Sequence, residues 1–282
     1  MADVDFVVVG HVTLDEVAGG VRPGGSAYYA AVTAERLGLR VGLLTAFASD
    51  FPVEALSAGV VTVNVTTDRT TRYRVDSPGQ RRSLALLARA ADLEEAHLPP
   101  EWREAPVAML CPVAGEVDPA LAGAFVEASL GVTPQGWMRT RGAGGVIAPQ
   151  PWEDADLVLP YAQSVVVSIE DIEPFEKEAF EWFQHVPLGA VTRGSLGAIL
   201  FVNGDRYHVE ADRATEVDAV GAGDVFAATL LIEYQRDGQP WDAAAAAACS
   251  AAASVEAPGV AGIPDRAGLE ARLAGYRRRL GG

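Results

Sequence analysis

Glu216-Val217-Asp218-Ala219-Val220-Gly221-Ala222-Gly223-Asp224 runs straight into Val225-Phe226-Ala227-Ala228-Thr229-Leu230-Leu231. The glycines allow a tight turn that brings backbone N–H groups close to an anion. The apolar run after them reads as a helix, so those N–H groups would stand at its positive N-terminus. Asp224 falls in the first turn, beside whatever anion the loop holds. A carboxylate there is a poor choice for binding alone, but it makes sense as a base taking a proton from a hydroxyl that attacks a phosphoryl group. On spacing alone, a plain glycine turn with an Asp complementing the helix dipole reads equally well.

Outward from this stretch, short β-branched runs alternate with longer helical patterns. Strands are expected at 4–10, 41–47, 60–65, 107–111, 165–169, 190–193 and 198–202. Helices are expected at 28–37, 119–130, 174–184, 242–256 and 266–280, the last with Arg272, Arg277, Arg278 and Arg279 outward. That alternation predicts an α/β fold with a central, mostly parallel sheet and helices on both faces. Two stretches break the schedule. Residues 69–90 read as a hairpin turning at Ser77-Pro78-Gly79, basic for so acidic a chain, and either a solvated sheet face or a small lid. Residues 139–150, with Gly142, Gly144 and Gly145, read as a loop. No linker or repeat divides the 282 residues, so one domain is expected over 1–282 with a small lid at about 69–90.

With 38 acidic and 22 basic residues the formal charge is −16, which argues against nucleic acid and anionic membrane as partners. Cys111 and Cys249 match no metal spacing. Met1-Ala2-Asp3-Val4-Asp5 lacks the positive start of a signal peptide, and no apolar run reaches transmembrane length, so a cytoplasmic protein is expected.

Asp218-Ala219-Val220-Gly221-Ala222-Gly223-Asp224 resembles the D-T-x-G-A-G-D signature of the ribokinase-like (PfkB) carbohydrate kinases, with Ala219 where Thr is usual. The resemblance implies that Asp224 is the catalytic base and that the Gly221, Ala222 and Gly223 amides form an anion hole for the transferred phosphoryl group. Gly24-Gly25-Ser26-Ala27-Tyr28-Tyr29 resembles the family's first signature, without its usual Asn and with Tyr28 near that place. Gly24 and Gly25 would let an acceptor hydroxyl approach the backbone. Asp15, after the first strand, resembles the Asp that binds two neighbouring hydroxyls. His11 reads as a packed histidine. The eight residues between Asp15 and Gly24 leave no room for a long lid strand pair there. That spacing is similar to the inositol-kinase-like branch, as is Thr133-Pro134-Gln135-Gly136-Trp137-Met138-Arg139, which implies Gln135 at the acceptor. Val167-Ser168-Ile169-Glu170 is similar to N-x-x-E, with Val167 for Asn, and implies that Glu170 holds Mg²⁺ through water. Thr192-Arg193-Gly194-Ser195-Leu196-Gly197 resembles T-x-G-x-x-G along the nucleotide, which implies Thr192, Gly194 and Gly197 there and Arg193 near the phosphates. Pro258 and Gly259 would wall the adenine pocket.

Competing signatures are absent. Gly10-His11-Val12 after the first strand is no dinucleotide fingerprint, Asp224 stands where a Walker loop needs Lys, and no G-x-S-x-G elbow occurs. The expectation is an ATP- and Mg²⁺-dependent kinase acting on a small polyol, a cyclitol such as myo-inositol first. A sugar or nucleoside kinase of the same family, or a non-catalytic ligand-binding protein on the kinase fold, is the alternative. A homodimer is left open.

Overall fold

Phe6 and Val8 point into one hydrophobic core, while Val7 and Val9 point into another. This alternation follows from the two-residue period of a strand. It means that strand β1 (Phe6–Val9) is covered on both faces. Leu43 and Leu44, and Met109 and Leu110, divide in the same way.

The computed structural model describes residues 4–17, 19–76 and 83–281. In chain order the next strands are β2 (Thr13–Val17), β3 (Gly20–Gly24), β4 (Val41–Thr45), β5 (Val60–Asn64), β6 (Thr71–Asp76), β7 (Ser83–Ala88) and β8 (Val107–Leu110). They are followed by β9 (Ser129–Val132), β10 (Arg139–Arg141), β11 (Ile147–Pro149), β12 (Ala162–Ser168), β13 (Leu188–Thr192), β14 (Ala198–Val202) and β15 (Asp205–Val209). The helices are α1 (Ser26–Arg36), α2 (Ala155–Val158), α3 (Ile169–Ile172), α4 (Glu176–Trp182), α5 (Ala222–Asp237), α6 (Pro240–Ser254) and α7 (Arg266–Leu280). Nine strands form the central sheet in the order β15-β14-β13-β12-β9-β8-β1-β4-β5. Its pairings are parallel except β13 with β14 and β14 with β15 at one edge, so β14 alone runs against the others. One face packs on α1, α5 and α6, and the other on 3₁₀ turns and α4.

From β1 the chain builds through β4 and β5 to one side, and from β8 onward to the other. The order therefore reverses between β1 and β8, and an open α/β sheet binds its ligands in the crevice at such a point. Gly10 ends β1 there, and a Cβ on it would lie 2.3 Å from the Cys111 carbonyl oxygen.

A second sheet, β3-β2-β6-β7, is built from both sides of β4 and β5. Its β6 and β7 are the strands of the expected hairpin, whose Ser77-Pro78-Gly79 turn, with Arg81 and Arg82, lies outside the described residues. Between Asp15 and Gly24 the chain does form a strand pair, β2 with β3, because five residues on each side need only a tight turn. The expected loop at 139–150 is instead a small hairpin, β10 with β11. Gly144 and Gly145 turn it at φ +68° and +82°, and Val146 bridges to Ala85 of β7. The expected helix at 119–130 is a 3₁₀ segment, Pro119–Phe125, before β9, and β9 and β15 went unread. Arg272 and Arg279 do not point outward: both bind Asp212, with Arg272 Nε 2.6 Å from Oδ2 and Arg279 Nη1 2.5 Å from Oδ1. Among the described residues no helix is long and apolar enough to cross a membrane.

Candidate active site

The decisive stretch folds as a turn into α5. Gly221 caps that helix at φ +80°, and a Cβ on it would lie 2.4 Å from the Tyr29 ring, so packing and backbone both demand glycine. Gly223 is exposed in the first turn, and Asp224 is half-buried beside it. Asp218, the first acid of the motif, is structural. Its Oδ1 accepts from the Val220 N–H at 3.1 Å, its Oδ2 accepts from the Gly259 N–H at 3.0 Å, and Arg22 Nη1 reaches Oδ2 at 2.6 Å. Gly259 is thereby fixed beside the motif, with Pro258 preceding it.

A chain of donors converges on Asp224. Arg139 Nη2 donates to Gln135 Oε1 at 2.6 Å, Gln135 Nε2 donates to Ser26 Oγ, and the Ser26 hydroxyl is bonded to Asp224. Burial pushes the Asp224 carboxyl up to about 6. The Ser26 bond and the Arg139 charge pull it down, while Asp171 and Asp15 push it further up. A base with that pKa is ionised at neutral pH and still basic enough to take a hydroxyl proton in flight.

Asp15 lies on β2 and is 8% exposed, with the Thr13 hydroxyl donating to Oδ1 at 2.8 Å. Burial raises its pKa, against the Thr13 bond and the charges of Arg22 and Arg139. A Cβ on Gly24 would lie 2.3 Å from Asp15 Oδ2, and one on Gly25, at φ +96°, would lie 2.5 Å from the His11 carbonyl oxygen. The glycine pair thus makes room for the protein's own carboxylate and backbone. His11 is fully buried and packed. Its Nε2 donates to the Ala91 carbonyl at 2.8 Å and its Nδ1 accepts from Thr71 at 2.7 Å. Tyr28 turns away, its hydroxyl donating to the Ala55 carbonyl at 3.3 Å. It is Tyr29 that stands against the Gly221 turn.

On the other side, Thr192 ends β13 with its hydroxyl donating to the Val167 carbonyl at 3.3 Å. The same hydroxyl lies 3.9 Å from where a Cβ on Gly223 would be, so Thr192 adjoins the turn. Gly194 and Gly197 turn the chain back at φ +56° and +81°. Arg193 lines a depression of about 360 Å³ with Ser195, Leu196, His208, Glu210 and Ala211. Glu170 is exposed in the first turn of α3, capped by Ser168. Asp171, one helical step further, faces the site, 3.6 Å from Arg139 Nη2. Successive helical residues point about 100° apart, which sends these two acids in different directions.

Mg²⁺ fits this donor set only in one way. Among the described residues no group of three His, Cys, Asp or Glu could cage a metal. A hard cation here would be held by donor phosphates and water, with Asp171, paired to Arg139, a carboxylate on the site's border. Ser26, Arg139 and Asp171 were missed in the sequence as site residues. Arg139 is four residues beyond Gln135, and that proximity was the available signal.

The chain belongs to the pfkB family of carbohydrate kinases, whose model matches residues 1–266. These enzymes transfer a phosphoryl group to an alcohol. A cytidine kinase from Thermococcus kodakarensis is 26% identical over 258 residues, covering 84% of this chain and 90% of that protein. A pyrophosphate-dependent kinase of the ribokinase family, solved with a pyrophosphate analog and myo-inositol, superposes with a TM-score of 0.79 at 23% identity, covering 94% of this chain and 99% of that one. A ribokinase from Thermotoga maritima superposes at 0.75 and 19% identity, covering 96% and 99%.

Proposed function

We propose that this protein transfers the terminal phosphoryl group of ATP to one hydroxyl of a small polyol, with myo-inositol the first acceptor to test. The observation that carries this reading is Asp224, ionised near neutrality at the N-terminus of α5, with Asp15 contributing to the same local field. Asp15 takes two neighbouring hydroxyls of the acceptor, and the Gly24 and Gly25 turn and Gln135 border it. A third hydroxyl is directed to Asp224. As its oxygen bonds to phosphorus its proton passes to the Asp224 carboxylate, and the phosphoanhydride P–O bond breaks to release ADP. Charge on the moving group is met by the Gly221, Ala222 and Gly223 amides at the helix N-terminus. Arg139 and Ser26 keep Asp224 ionised until the proton arrives. Thr192, Gly194, Gly197, Pro258 and Gly259 line the donor's path. Mg²⁺ bound with the donor would spread charge over its phosphates, with Asp171 rather than Glu170 the acid oriented to hold its water shell. β3-β2-β6-β7 acts as the lid over the acceptor.

Pyrophosphate as donor is a second reading, supported by the likeness to pyrophosphate-dependent kinases at 21–23% identity. Cytidine joins the acceptors because of the cytidine kinase relative. The test is product formation with ATP and with pyrophosphate against cyclitols, pentoses, hexoses and nucleosides, with Asp224→Asn in parallel. One acceptor phosphorylated by the wild type and not by the variant is the expected result. Turnover undiminished in the variant would remove Asp224 as the base.

A further inference from the structure

Asp15 and Arg22 are directly opposed across the β2–β3 pair, so their side chains share one face of the second sheet. That face looks onto the anion turn. Arg22 reaches 196 residues along the chain to Asp218, with Nη1 at 2.6 Å from Oδ2 and Nη2 at 3.3 Å from Oδ1. The same carboxylate accepts the Val220 and Gly259 N–H groups, so it fixes the chain immediately before Gly221. A guanidinium gripping a carboxylate with two nitrogens fixes orientation as well as distance. The pair is half-buried, with side-chain exposures of 27% and 12%. Its surroundings are incompletely satisfied: Arg22 Nε and the Tyr29 hydroxyl are both buried without a hydrogen-bond partner. Tyr29 is also the side chain packed against Gly221.

We infer that Arg22 is a positioning residue that couples the second sheet to the anion turn, so that the Gly221, Ala222 and Gly223 amides are held in place only when the β2–β3 pair is seated. The strand that carries the acceptor-binding Asp15 then also sets the donor-side geometry, through one ion pair. Lifting the sheet to admit or release an acceptor breaks Arg22 from Asp218 and leaves that carboxylate bound to the Val220 and Gly259 N–H groups, without the ion pair that ties it to the sheet. This inference rests on the kinase reading for its catalytic consequence but not for its structural one, and the test separates the two.

Arg22→Gln, Asp218→Asn and the double variant are compared in two measurements. Backbone amide hydrogen exchange of peptides spanning 219–225 is followed in the ligand-free protein. Each single variant is expected to speed exchange there by about 10-fold, and the double variant to add little, because both substitutions remove one interaction. In turnover with the best acceptor found, Arg22→Gln is expected to lower kcat by about 10-fold with acceptor KM changed by less than about 3-fold, and Arg22→Lys to recover part of the loss. Unchanged exchange at 219–225 in either single variant, or effects that add in the double variant, would overturn the coupling whether or not the wild type turns over any acceptor. Faster exchange with kcat unchanged would overturn the positioning role.

Discussion

At the start of α1, Gly24 and Gly25 are required by the protein itself: one makes room for the Asp15 carboxylate, the other turns at φ +96° against the His11 carbonyl. At the start of α5 the two glycines divide. Gly221 is likewise required, by Tyr29 and by φ +80°, whereas Gly223 has only the Thr192 hydroxyl within 4 Å of a would-be Cβ, at 3.9 Å, and is exposed. No packing or backbone requirement explains Gly223. The difference shows how to read a glycine motif. Where the fold's own atoms fill the space of a Cβ, glycine reports on the fold, and where nothing fills it, glycine is a candidate for close approach by something else. The first turn is therefore a support for Asp15, and the second is the one left open at Gly223, as the proposed anion site needs.

The sharpest way to break this comparison is at the two acids beside the turns. Asp224→Asn is expected to lower kcat by roughly 10³-fold. The same change is expected to stabilise the fold above pH 6. The Asp224 carboxyl is raised from 3.8 to about 6, so its stability contribution is fully present below 3.8 and is lost as pH rises through about 6. Asn escapes that loss, which amounts to up to about 3 kcal/mol. Denaturant unfolding should show the variant more stable at pH 8 and equal to wild type near pH 3.5. Equal stability at both would mean that Asp224 is not held in a costly environment.

Next come the glycines themselves. Gly25→Ala is expected to cost about 2–3 kcal/mol of stability, since it meets backbone and a positive φ together. Gly24→Ala should displace the Asp15 carboxylate, so its expected signature is a raised acceptor KM more than a lost fold. Gly223→Ala should leave stability within about 1 kcal/mol, because alanine is the better helix former, while kcat falls roughly 10-fold or more. Loss of stability at Gly223 with kcat intact would invert the comparison.

These positions also mark how far the sequence could be read. The α/β class and the parallel sheet were legible because fully buried strands such as Phe6–Val9 are unbroken apolar runs. The strand Ser129–Val132 was not, because its Gly131 weakens the pattern and it follows a 3₁₀ segment with no helical period. Asp224, Asp15 and Gln135 were named from short motifs, but Arg139, Ser26 and Asp171 matter through contacts that only the tertiary structure creates. Asp171 differs from Glu170 by one step of a four-residue helix, a direction that no spacing argument fixes. Arg139 sits at the base of the hairpin that was read as a loop, so the error in the element hid the residue.

The smallest expected effect is also the one that tests the field around the base. Asp224 must be ionised to act, so kcat should rise with pH along a limb centred near 6. The Arg139 charge lowers the Asp224 pKa and the Asp171 charge raises it. Arg139→Gln should therefore move the limb to higher pH, and Asp171→Asn should move it to lower pH. Loss of a merely structural contact would depress kcat at every pH without moving the limb. Profiles of kcat from pH 5 to 9 for the two variants thus distinguish charge from packing by sign alone. Shifts in the same direction, or none, would show that Arg139 and Asp171 do not act on the charge of Asp224.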